Sequence, residues 1–277
     1  MPKPIGRIAA LHRYPVKSMA GEEVASVHVT RGGVLGDRSY ALIDQSTGLV
    51  VSAKRPRKWA GILDYAASFV EPPRVDLPVP PVQITLPNGT TCSSTESEDL
   101  DERLSHALEN DVCLVSAVPE GATFEYHWPD IDGLEYQGRT YRDEITEHEM
   151  PSGTFFDSTT LLILTSASLE HLNGLAASSR FVSERFRPNI VIETMEGASG
   201  FVENEWVGKT LGMGDELRVI IEKPCIRCVM VNLAQGDLPS DPQILKSVFE
   251  HNDGNLGVKG TVARVGEVRV GDAVWVD

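Results

Sequence analysis

The chain has 277 residues, 41% of them apolar, with a formal charge of -15 and a pI near 4.9. That length favours two domains with packed cores. The acidity argues against a non-specific DNA binder, and no apolar run approaches the roughly 18 residues of a membrane span. The four cysteines, Cys92, Cys113, Cys225 and Cys228, are too sparse for a disulfide scaffold. No signal-peptide stretch follows Met1-Pro2-Lys3-Pro4, so the expectation is a reduced, cytoplasmic protein with neither nucleic-acid nor membrane partners.

The N-terminal part reads mostly as strands. Gly6 to His12 is short and apolar, and Glu23 to Val29 alternates with period two. Arg38 to Asp44 is a third strand, and Gln45-Ser46-Thr47-Gly48 turns it into Leu49 to Ala53. Lys54, Arg55, Arg57 and Lys58 then form a basic run, most simply a solvated loop, that gains weight near an anionic ligand in so acidic a chain. Val82 to Leu86 alternates before the turn Pro87-Asn88-Gly89. Asp99 to Glu109 carries Leu100, Leu104 and Leu108 on one helical face. The polar, aromatic and acidic stretch from Pro119 to Gly153 reads as a connection between domains or a loop covering the site.

The C-terminal part returns to strands at Leu161 to Thr165, Ile190 to Glu193, Leu217 to Ile221, Val229 to Leu233, Gly260 to Val265 and Ala273 to Val276. Two helices interrupt them: Ser166 to Leu175, with Ser166 as N-cap, and one opened by Ser240-Asp241-Pro242-Gln243 as a capping box. Many short strands and few helices predict a mainly β (α+β) protein of barrel-like sheets.

Three runs carry chemistry: Tyr14-Pro15-Val16-Lys17-Ser18, Arg185-Phe186-Arg187-Pro188-Asn189 and Pro224-Cys225-Ile226-Arg227-Cys228. A Cys-x-x-Cys pair alone is as easily two small buried hydrophobes. A structural zinc site would want four ligands, and the scattered histidines show no ligand spacing. Arg227, however, would lower a neighbouring thiol pKa. Arg187 offers a planar fork and Asn189 a donor and an acceptor, while Lys17 and Ser18 could hold a phosphate. Arg38 could do the same or simply pair with Asp37 or Asp44. Asp157 and Ser158 read first as a turn before a strand. Together the runs suggest a site for an anionic, metal-bearing cofactor. No phosphate-binding Gly-rich loop and no Gly-x-Ser-x-Gly elbow is present.

These runs, with Gly36-Asp37-Arg38 and Glu205-Trp206-Val207-Gly208 between them, resemble MOSC-domain proteins with an N-terminal β-barrel domain, a group that includes the mitochondrial amidoxime-reducing component and its bacterial relatives. The resemblance covers nearly the whole chain and implies an N-terminal β-barrel domain over 1–120 followed by a second β-barrel domain, the MOSC domain, over 121–277. It implies the molybdenum cofactor (Mo-molybdopterin), with Cys228 as both catalytic residue and metal ligand and Cys225 dispensable. Lys17, Ser18, Arg38, Asp157, Ser158, Arg187, Asn189 and Arg227 would bind the cofactor. The implied activity is an oxidoreductase reducing N-hydroxylated compounds such as amidoximes and hydroxylamines. The chain ends at Asp277 without further cysteines, so the expected electron donor is a separate iron–sulfur, flavin or b-type cytochrome protein. Two alternatives stay open: a sulfur carrier with a persulfide on Cys228, and a cofactor-binding module without turnover.

Overall fold

Seven strands of a computed structural model close into a barrel, in the order Ile190–Thr194, Leu161–Thr165, Asn255–Arg264, Leu217–Ile226, Thr210–Met213, Ala273–Val276 and Gly6–Arg13. The last of these pairs antiparallel with the first, Gly6 opposite Thr194 and Leu11 opposite Ile190, which removes both sheet edges. The structure describes residues 4–128, 135–136, 139–140 and 143–276. Leu161–Thr165 and Ile190–Thr194 run parallel, and the helix Ser166–Leu175 makes the crossover between them. The other barrel pairs are antiparallel.

Alternation sorts the side chains. Leu217, Val219 and Ile221 point into the barrel, where Ile8, Leu11, Ile163, Ile192, Leu211, Met213, Val258 and Val262 meet them. Gly257 sits on one of these strands at φ +75, and a Cβ there would lie 2.6 Å from the carbonyl oxygen of Ile163. Only glycine tolerates that approach.

The N-terminal region builds a second core under small sheets. Ala41–Asp44 pairs with Val112–Val115, and Ala66–Phe69 with Val82–Thr85 and then Thr91–Ser93. The helix Ser97–Leu108 buries Leu100, Leu104 and Leu108 against Trp59, Ile62, Val82 and Ile84. Ser26–Thr30 pairs instead with Gly266–Arg269, tying the two regions together from opposite ends of the chain.

Gly6 to His12, Val82 to Leu86, Asp99 to Glu109, Leu161 to Thr165, Ser166 to Leu175, Ile190 to Glu193 and Ala273 to Val276 form within a residue or two of their expected limits. Leu217 to Ile221 and Gly260 to Val265 each fall five residues short of the strands Leu217–Ile226 and Asn255–Arg264, and Arg38 to Asp44 is a strand only from Ala41. Val229 to Leu233 is a 3-10 helix, Val229–Asn232, rather than a strand. A side chain captures carbonyls in this turn and just after it: Arg185 Nη1 donates to the oxygens of Val231 and Leu233, each at 3.2 Å. Leu49 to Ala53 does not extend as a strand, because its donors go to different partners. Val50 N donates to Thr123 O, Val51 N to Leu42 O, and Ala53 N to Ser18 Oγ at 3.0 Å. The helix Ser166–Leu175 is capped by Thr165, whose hydroxyl accepts from Ser168 N at 3.2 Å, and not by Ser166. The predicted capping box reduces to Asp241, which accepts from Gln243 N at 3.0 Å as the helix Gln243–Asn252 begins. The stretch from Pro119 to Gly153 holds a hairpin, Thr123–Trp128 with Glu144–Glu149, and parts of it lie outside the described residues.

Candidate functional site

Loops at one end of the barrel and the adjoining N-terminal region enclose a cavity of about 730 Å³. Lys17, Ser18, Arg38, Asp157, Ser158, Arg187, Asn189, Arg227 and Cys228 all line it. Residues 174 positions apart in sequence touch here, as when Tyr14 Oη donates to Pro188 O at 3.1 Å.

The thiol wall is the end of the long strand Leu217–Ile226. The strand turns inward through irregular register at Pro224 and Ile226, with Cys225 buried and Cys228 half-buried at the start of the 3-10 helix. Two buried guanidinium groups fix this turn. Arg227 donates from Nε to Leu256 O at 2.7 Å and from Nη1 to Phe186 O at 2.9 Å. Arg185 clamps the segment that follows, through Val231, Leu233 and Pro239 oxygens. Both residues spend their donors on neutral carbonyls, so their positive charge is not cancelled locally.

A second wall is built around Tyr14. Arg38 and Arg187 lie over its ring, with guanidinium carbons 4.5 and 4.2 Å from the centroid. Asp37 organises this wall: it accepts from Tyr14 N at 2.8 Å and from Asn189 Nδ2 at 2.9 Å, and it pairs with Arg38. Asn189 also accepts from Leu162 N at 3.2 Å, so its amide joins the barrel to the N-terminal region. Burial, with Arg38 next to it, lowers Arg187 to about 10, still charged at neutral pH. Burial raises Tyr14 to about 12 against the pull of the two arginines. Ser18, Arg38 and Arg187 all have φ between 49 and 66, the left-handed region that costs an L-residue about 1–2 kcal/mol. Such backbone strain gathers where side chains must be aimed.

The third wall is a loop and a hairpin. Asp157 takes both Lys17 and Lys54, the latter at 2.8 Å. Burial opposes its ionisation, but the two ammonium groups outweigh it and hold the carboxyl far below the usual range. Burial lowers Lys17 to about 8 despite that carboxylate. For Lys54, burial is outweighed by Asp157 and then Cys228, and its pKa rises. Lys54 also lies 4.9 Å from the ring centroid of Tyr126, which stacks on Trp128 at 4.2 Å, so an aromatic face of the hairpin adjoins the thiol wall. Ser158 accepts from Lys259 Nζ at 2.6 Å.

Eight lysines and arginines line the cavity (Lys17, Arg38, Lys54, Arg185, Arg187, Lys223, Arg227 and Lys259) against two carboxylates, Glu149 and Asp157. In a chain of charge -15 this concentrates cations at one place. Two buried polar atoms among the lining residues, Arg187 Nη2 and Thr159 Oγ1, have no hydrogen-bond partner, and a buried donor without one is costly. Among the described residues no group of three His, Cys, Asp or Glu is placed to hold a metal ion. A metal here would take one thiolate from the protein and bring its other ligands with it. The chemistry suits a polyanionic ligand carrying a soft metal.

Nothing local in the sequence marks Tyr14 as the centre of the arginine pair, nor the aromatic hairpin face, nor Lys259. Lys259 is a single lysine on a long strand, Asn255–Arg264, with no local signal. Lys54 stood out only as part of a basic run.

Comparison with known proteins is consistent with this geometry. The MOSC domain model matches residues 151–275, and the MOSC N-terminal beta barrel domain model matches residues 5–63. The chain is 26% identical over 296 aligned positions to mitochondrial amidoxime reducing component 2 of Macaca fascicularis, covering 98% of this chain and 83% of that protein. The Homo sapiens protein of the same name matches with the same identity and coverage. Molybdenum cofactor sulfurase of Oryza sativa subsp. japonica is 27% identical over 254 positions, which cover 84% of this chain and 28% of that much longer protein.

Proposed function

Since the chain belongs to the MOSC-domain proteins, we propose that it binds the molybdenum cofactor in the cationic cavity and reduces N-hydroxylated compounds such as amidoximes and hydroxylamines. The observation that carries this reading is the pairing of Cys228, the half-buried thiol of the cavity, with a surplus of buried cations around it. The names of the relatives point the same way.

Cys228 would ligate the metal, and Arg38 and Arg187 would take the anionic end of the cofactor on the Tyr14 platform. Lys17, Lys54, Ser18, Asp157, Ser158 and Thr159 would line its length. Asn189 and Arg227 would serve mainly by holding the walls in place, since their donors are already engaged. Bound there, the molybdenum cofactor would supply two-electron reduction of an N–O bond. The protein's part is electrostatic and positional. Cations fixed before binding need no reorganisation when the anion arrives, and an anion between Arg38 and Arg187 relieves their mutual repulsion. The electrons would come from a separate redox protein.

The test is expression in a host that makes the cofactor, with molybdenum and pterin measured on the purified protein and an amidoxime offered with a reduced donor. Near-stoichiometric molybdenum, reduction by wild type and by Cys225→Ala, and loss of at least a hundredfold in a folded Cys228→Ala are expected, the last because a ligand to the reacting metal is removed. Equal activity of the two variants would sink the assignment of Cys228. A stable extra sulfur on Cys228 by mass spectrometry, with neither metal nor pterin, would favour a sulfur carrier instead.

A further inference from the structure

Reducing an N-hydroxylated compound breaks one N–O bond, forms one N–H bond and releases water. Two electrons come from the reduced redox partner, and two protons must be delivered inside the cavity. We propose that Lys259, acting with the Ser158 hydroxyl, is a proton donor for this reduction. The inference rests on the reading above.

Lys259 Nζ lies 2.6 Å from Ser158 Oγ, and both residues line the cavity. Ser158 accepts this bond, which leaves its own proton free to be directed to another oxygen. Its partner also separates Lys259 from two of the other cavity lysines. Lys17 and Lys54 both pair with Asp157. Taking a proton from either would break an ion pair to the one carboxylate they share. Lys259 gives up its proton to leave a neutral amine beside a neutral hydroxyl, which can then reverse the hydrogen bond. Refilling from solvent restores the starting state.

The surroundings favour release. Lys223 stands opposite Lys259 in the strand register. Burial lowers the Lys259 pKa first, Lys54, Arg227 and Lys223 add to that, and Cys225 opposes. An acid tuned toward the working pH transfers protons more effectively than an ordinary lysine.

The experiment has two arms on the molybdenum-loaded protein. In the first, competitive acetylation across pH, read by mass spectrometry, follows Lys259 against exposed Lys209 in wild type and in Lys223→Met. The Lys259 midpoint should lie below that of Lys209 and should rise in Lys223→Met. In the second, kcat for an amidoxime is measured across pH in wild type, Lys259→Gln and Lys259→Arg. The wild-type rate should fall as pH rises through the Lys259 midpoint, because the acid is lost. Lys259→Gln should drop kcat by about a hundredfold and abolish that limb. Lys259→Arg should stay low, since arginine keeps the charge and does not release its proton. A Lys259 midpoint equal to that of Lys209, a full rate in Lys259→Arg, or an unchanged basic limb in Lys259→Gln would overturn the assignment. A loaded wild type that reduces no N-hydroxylated compound removes the reaction itself and the donor role with it. The acetylation arm separates the two failures, because it reads Lys259 without turnover.

Discussion

The barrel wraps seven strands around one apolar interior and has no free edge, whereas the N-terminal region spreads its strands over small sheets that need the helix Ser97–Leu108 to complete their core. The contrast carries over to the site. The barrel side contributes Asn189 and Arg227, held by side-chain to backbone bonds, together with Cys228 and with Arg187, whose backbone is strained like that of Ser18 and Arg38. The N-terminal side contributes Lys17, Ser18, Arg38 and Lys54, aimed by strained backbone and by ion pairs. A closed barrel fixes where a thiol sits, and the less regular region brings charge to it. The segment Tyr14 to Ser18 belongs to both, since it leaves the barrel strand Gly6–Arg13 directly.

The largest test of this contrast is core truncation. Leu11→Ala in the barrel and Leu104→Ala in the N-terminal core, both fully buried, should each cost about 2–5 kcal/mol. Because Ser26–Thr30 pairs with Gly266–Arg269 and Asp37 bonds Asn189, both variants should shift a single denaturant transition. Two separate transitions would mean that the regions unfold independently.

A smaller effect separates strain from charge. Arg187→Gly relieves the φ of 53 and removes a buried cation. Its melting temperature should hold or rise, while affinity for inorganic phosphate, followed by calorimetry, should fall about tenfold through loss of a charge-assisted bond. A clear loss of stability with unchanged phosphate binding would make Arg187 a structural residue.

The smallest concerns acid. Burial opposes ionisation of Asp44, but Lys58, Ser46 and Thr47 outweigh it and lower its pKa to about 2. A carboxylate depressed in the folded state contributes stability that is present above its unfolded value of 3.8 and is lost as pH falls toward 2. Asp44→Asn should therefore flatten the decline of stability across that window, measured by denaturation at several pH values. An unchanged slope would assign the acid sensitivity to the site carboxylates.

Much of the fold was legible along the chain. Leu161–Thr165 and Ala273–Val276 have the limits their apolar runs predict, and the helix with Leu100, Leu104 and Leu108 buries those three side chains. Local pattern failed where a backbone group found a distant side chain first. Arg185 turned an apolar run into a 3-10 helix, and Ser18 drew off a donor from Leu49 to Ala53.

The residue types of the site can be read along the chain: a thiol beside an arginine, a Lys-Ser pair, and an Arg-Pro-Asn run in an acidic protein. The mainly β character can be read there too, through periodicity and turn residues. That Arg38 and Arg187 share one tyrosine ring, that Asp157 divides itself between Lys17 and Lys54, and that Lys259 reaches Ser158 follows from the folded arrangement alone. The reason is range. Period and turn chemistry act over a few neighbouring residues, whereas burial, charge pairing and backbone strain at the cavity depend on segments that meet only when the barrel closes.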